Sequence, residues 1–92
     1  MEIITQETIV GQVQEVASKD DYIVRFVVKA IREGEVNILN VSSNAWQAWN
    51  LRAGDKVSLR GKLTSTVWED PFLGGKVETA EMEANQLNRL AA

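Results

Sequence analysis

Residues 51–68 read LRAGDKVSLRGKLTSTVW, and their pattern decides the fold. Gly54-Asp55 breaks the preceding segment and opens a turn. Val57, Leu59, Gly61 and Leu63 then alternate with Lys56, Ser58, Arg60, Lys62 and Thr64. A period of two puts the apolar row on one face of a strand and the basic, polar row on the other. Gly61 has no side chain to pack, so it predicts a bulge or a sharp bend in that strand. Trp68 closes the run just before Glu69-Asp70-Pro71, which must turn.

Four further strands and a short helix accompany this one. Thr8 to Val16 reads as a first strand whose apolar residues change face around Gly11, where a bulge is expected. Ala17 to Asp21 is a polar connection. Tyr22 to Ile31 is a second strand, with Tyr22, Val24, Phe26, Val28 and Ala30 on one face. Its other face mixes Ile23, Val27 and Ile31 with Arg25 and Lys29. Glu33-Gly34 turns into a third strand from Glu35 to Val41, giving a hairpin. Ser42-Ser43-Asn44 offers N-caps for a short helix over Ala45 to Leu51, which Gly54 stops. A fifth strand runs from Lys76 to Ala84, and the following NQLNRLAA is either a last short strand or a helical turn.

Composition narrows the chemistry. The 92 residues form a single domain with a small core, which an oligomer would help. Without cysteine or histidine there is no thiol or imidazole catalysis, no disulfide and no ordinary zinc site. The acids form no recognisable catalytic pair, and no spacing matches a calcium loop. The Gly74-Gly75 pair belongs to a hairpin turn, where positive φ is needed, and not to a phosphate loop. A non-enzyme with no metal and no cofactor is expected. Neither a leader pattern nor a run of about 20 apolar residues is evident, so the expectation is a soluble, cytoplasmic protein without a membrane partner. The net charge of −3 opposes strong electrostatic binding of nucleic acid, whose affinity comes largely from phosphate neutralisation.

Five strands with a helix between the third and fourth is the order of the OB-fold, an all-β Greek-key barrel. Several motifs add to that order. They are Ile9-Val10-Gly11-Gln12-Val13, Leu51-Arg52-Ala53-Gly54, the alternation from Asp55 to Gly61, Trp68-Glu69-Asp70 to Gly75, and Thr79-Ala80-Glu81-Met82. Together they resemble the bacterial single-stranded DNA-binding protein family, in the form of a short, tail-less or primosomal-type member. The similarity is best over residues 41–84 and thinner over residues 9–16. It implies an OB barrel that binds single-stranded DNA, or RNA, as a homodimer or homotetramer. Replication or repair proteins are the other partners it suggests. Two features depart from the family: no aromatic stands in Val36 to Val41, and the acids lie in the body of the domain.

Single-strand binders of this fold combine a cationic groove with stacking rings. Trp68 matches the family's hairpin tryptophan, with packing on the barrel rim as its structural alternative. Phe72 is either a second ring or a staple for the turn. Arg25, Lys29, Lys56, Arg60 and Lys62 alternate onto outward faces, where they would meet phosphates or simply water. Phe26 is expected in the core, and Tyr22 is open between core and stacking. Trp46 and Trp49, three residues apart, are expected in the core or a subunit interface, with a partner surface or stacking as alternatives. Two functions fit: a single-strand-binding OB module, or an OB module for protein interaction with little nucleic-acid affinity.

Overall fold

The alternating run from Lys56 onward forms one wall of a closed five-stranded barrel. The structure is a computed structural model and describes residues 1–90. The strands are β1 (Glu2–Lys19), β2 (Val24–Arg32), β3 (Glu35–Ser43), β4 (Lys56–Glu69) and β5 (Lys76–Arg89). A 3-10 turn, Trp46–Asn50, lies between β3 and β4. Neighbours follow the order β1-β2-β3-β5-β4 around the barrel, all antiparallel except the parallel β3–β5 pair.

Alternation sorts the side chains as expected. Val57, Leu59 and Leu63 point inward and are buried; Lys56 and Arg60 are exposed, and Lys62 is half-buried on the same outer face. From β2, Val24, Phe26, Val28 and Ala30 enter the core, and Leu39 and Val41 join them from β3. Met82, Ala84 and Leu87 enter it from β5, Ile9 and Val13 from β1, and Ala48 and Leu51 from the segment between β3 and β4. Each large side chain so buried contributes about 1.5–3 kcal/mol relative to leaving it in water. The large apolar residues that β2 and β3 leave exposed are Ile31, Val36 and Ile38. The β2–β3 hairpin turns on Glu33 and Gly34, with φ of 53° and 79°, the two positive values of a type I′ turn.

Several boundaries move. β1 starts at Glu2, because Glu2–Gln12 pairs with β4 while Gly11–Lys19 pairs with β2. Its bulges fall after Gly11, where Gln14 and Ala17 are the extra residues. Gly11 instead marks a close approach, since a β-carbon there would lie 2.7 Å from the Lys29 carbonyl oxygen. Gly61 is likewise no bulge in β4. The extra residue is Asn85 on the facing strand, where Arg60 pairs with Gln86 and Gly61 with Ala84.

β3 continues to Ser43, which changes the expected helix. Ser43 is buried, its hydroxyl donating to the Ala84 carbonyl at 2.8 Å and accepting the Ala45 N–H at 3.1 Å. No side chain caps the next segment, which forms only a 3-10 turn. Segments this short gain little from α-helical cooperativity. β5 runs on to Arg89, so residues 85–89 are strand; Ala91 and Ala92 lie outside the described residues.

Candidate nucleic-acid interface

The β4–β5 hairpin is built by one aspartate. Asp70 Oδ1 accepts the N–H of Phe72 at 2.8 Å and of Leu73 at 3.1 Å, and the Asp70 carbonyl accepts the Gly74 N–H at 2.9 Å. This Asx-type arrangement, with Pro71 fixing its own φ and Gly74 at φ 69°, defines the loop without help from the core. Phe72 is therefore no staple: it is 95% exposed, with Leu73 beside it at 83%. Trp68, opposite Val77 at the end of β4, is 47% exposed on the outer face.

Tyr22 lies outside β2, in the β1–β2 loop, and is 80% exposed, whereas Phe26 is core. In OB-folds the face of strands 2 and 3 and the loops β1–β2 and β4–β5 are where oligonucleotides bind. Exposed rings thus stand in both of those loops.

The five candidate cations fall into two groups. Arg25 and Lys29 project from β2, opposite Ser42 and Ile38 of β3. A groove of about 350 Å³ runs along this face, lined by Arg25, Val27, Asn40 and Ser42, with Glu81 and Glu83 on its far side. Arg25 Nη1 is bonded to Asp20 Oδ2 at 2.6 Å. Both partners are largely exposed, so the pair contributes at most about 1 kcal/mol and is free to exchange. Lys56, Arg60 and Lys62 stand instead on β4, which β1 separates from β2 on one side and β3 and β5 on the other. Arg60 Nη1 donates to Thr8 Oγ1 at 3.2 Å, and Lys62 Nζ lies 3.4 Å from Glu83 Oε2. Among the described residues Lys29 and Lys56 make no ion pair.

Trp46 and Trp49 contradict the expectation of a core position, being 74% and 37% exposed. The core contact of the 3-10 turn is made by Ala48, which is fully buried between them in sequence. A three-residue repeat that buries one alanine turns both tryptophans outward. Nothing in the residue pattern alone distinguishes this from the opposite phase.

Among the described residues no cluster of acids could hold a metal ion, and no buried side-chain polar atom lacks a hydrogen-bond partner. What the surface presents is exposed rings and cations. The mitochondrial single-stranded DNA-binding protein Rim1 of S. cerevisiae superposes with a TM-score of 0.72 at 17% identity over 96% of each chain. The fold is of the single-stranded DNA-binding protein type. A small single-stranded DNA-binding protein of Streptomyces coelicolor also gives 0.72, at 20% identity over 92% of this chain and 93% of its own. The Plasmodium falciparum protein, solved in complex with single-stranded DNA, gives 0.59 at 14% identity over 94% of each chain. No protein-family model matches the sequence. No curated protein sequence matches it.

Proposed function

We propose that this chain is a single-stranded nucleic-acid-binding OB module, acting on DNA in an accessory role in replication, repair or recombination. The observation that carries it is the β4–β5 hairpin, where Asp70 holds the turn and Phe72 stands clear of the core, with Trp68 half-exposed at the end of β4. A large ring kept in water on a defined loop is poised for base stacking, worth roughly 1–3 kcal/mol per base. Arg25 and Lys29 on β2 supply phosphate contacts, and the shared fold with proteins named for single-stranded DNA binding supports the same reading.

Assembly belongs to this proposal. Residues Glu2–Val10 pair with β4 on one edge, whereas β2 joins β1 only from Gly11 onward, so among the described residues their other edge is open. Ile3, Ile4 and Val10 on that segment are about half exposed. Open edges with apolar side chains invite pairing with another chain, and a symmetric homodimer satisfies them.

The protein-interaction alternative draws on one observation: Arg25 and Lys62 are already paired with Asp20 and Glu83, and Glu81 lines the same groove as Arg25. Tryptophan fluorescence separates the two. Oligo-dT at low salt is expected to quench it, and added salt to restore it. Absence of quenching at micromolar protein favours the interaction module.

A further inference from the structure

Trp46 and Trp49 form a second aromatic surface, away from the β4–β5 hairpin, and its surroundings are unlike the rest of the chain. With three residues per turn, a 3-10 segment stacks positions i and i+3 along one side, about 6 Å apart along the axis. The two rings therefore project from the same side of the turn. Beside Trp49 lies an open hollow of about 660 Å³, also lined by Lys19, Arg52 and Arg89. Lys19 Nζ donates to the Trp49 carbonyl at 2.8 Å, tying the end of β1 to this turn. Arg89 also lines the hollow beside Trp46 and a third one beside Lys56, so one residue is common to all three.

Charge here is reversed relative to the molecule. The chain has 10 Lys and Arg against 13 Asp and Glu. Lys19, Arg52, Lys56 and Arg89 line these hollows, and Asp55 is the one acid among the lining residues. Its carboxylate is already engaged, accepting the Arg52 N–H at 2.9 Å and lying 3.4 Å from Arg89 Nη2. An anionic partner with flat, stackable groups fits this combination. The Lys56 that closes the patch also begins the outward row that continues through Arg60 and Lys62 along β4. At about 3.3 Å per residue that row spans roughly 20 Å, a path for a backbone leaving the tryptophans.

We infer that the Trp46–Trp49 turn, with Lys19, Arg52, Lys56 and Arg89, is a second base-stacking subsite for single-stranded nucleic acid, separate from the Trp68–Phe72 hairpin. It rests on the single-strand-binding function proposed above. Cationic surroundings and exposed rings together are the elements of single-strand grooves. Stacking also gives a reason for two exposed tryptophans where core packing needs only Ala48.

The test titrates the unaltered protein and three variants, Trp68→Phe, Trp46→Ala and Arg52→Glu, with dye-labelled oligo-dT at low salt. Anisotropy of the dye reports binding, and tryptophan emission reports which rings meet bases. Emission of Trp68→Phe, which comes from Trp46 and Trp49 alone, is expected to be quenched as the oligonucleotide binds. Trp46→Ala is expected to lower affinity roughly 5- to 100-fold. Arg52→Glu, at an exposed position, should weaken binding while leaving the far-UV circular dichroism unchanged. Binding by anisotropy without quenching in Trp68→Phe, and with no effect of Trp46→Ala, overturns the subsite and leaves the proposed function standing. No binding by the unaltered protein overturns both. Quenching of Trp68→Phe by poly-glutamate but not by oligo-dT overturns the subsite in favour of an acidic protein segment.

Discussion

Gly61 of β4 lies so close to the backbone of Glu83 on β5 that there is no room for a side chain between them. A β-carbon at Gly61 would also come within 2.8 Å of the Ala84 α-carbon. Both obstacles are backbone, and neither can rotate away. Gly61→Ala is therefore expected to destabilise the barrel by about 1–3 kcal/mol or more, lowering the urea midpoint. Gly75→Ala is the control, since nothing lies within 4 Å of a β-carbon there; a change within about 0.5 kcal/mol is expected. Equal midpoints for the two variants would contradict the close approach.

The cations should act through counterion release. Replacing Arg25 and Lys29 with Ala is expected to weaken binding to every single-stranded sequence about equally. The slope of log affinity against log salt should fall by roughly 0.7 for each phosphate that is no longer neutralised. The triple replacement of Lys56, Arg60 and Lys62 probes the other group on β4 in the same way. A salt slope unchanged by both sets of substitutions would remove these residues from the interface.

The rings should leave a different signature. Trp68→Ala and Phe72→Ala are each expected to cost about 1–3 kcal/mol of binding with the salt slope nearly intact. Phe72 is 95% exposed, so its removal should change thermal stability within the scatter for surface sites. A large loss of stability in Phe72→Ala would mean that the ring packs on the protein.

The geometry of the hairpin sets a further expectation. Asp70→Ala removes the acceptor for two backbone N–H groups, those of Phe72 and Leu73, without removing a ring. Binding should weaken because the loop must then be ordered on contact, an entropic cost of about 1 kcal/mol per residue fixed. Increased amide exchange at Phe72 and Leu73 in the variant checks this; unchanged exchange with unchanged affinity argues against a preformed loop.

Light scattering at micromolar concentration is expected to give twice the chain mass. Ile3→Lys combined with Ile4→Lys should return it to the monomer, since both residues are exposed on the open edge of β1. Monomer mass for the unaltered protein would remove the dimer from the proposal.

Legibility in the sequence follows burial. Wherever one side of a strand meets the core, alternation shows it, as from Lys56 to Thr64 and from Val24 to Ala30. It fades where neither face is buried, which is why Glu2 to Glu7 carries no clear mark of the start of β1. Gly11 and Gly61 are legible as special positions, yet their cause is close backbone approach. The bulges themselves fall on Gln14, Ala17 and Asn85, residues with no compositional mark. The outward candidates Trp68, Phe72, Arg25 and Arg60 follow from strand phase and turn chemistry. Trp46 and Trp49 do not, because their direction depends on which residue of a five-residue turn contacts the core, and Ala48 does.

Single-strand binding through stacked rings requires a preference for unpaired bases, which competition against a duplex measures. Dye-labelled oligo-dT is bound to the protein at low salt, then challenged with unlabelled oligo-dT or with a duplex of equal length. The single strand is expected to displace the probe at much lower concentration, because stacked rings need exposed bases. Raising the salt should release the probe in both cases. Equal displacement by the duplex, or no anisotropy change on first mixing, would contradict single-strand binding.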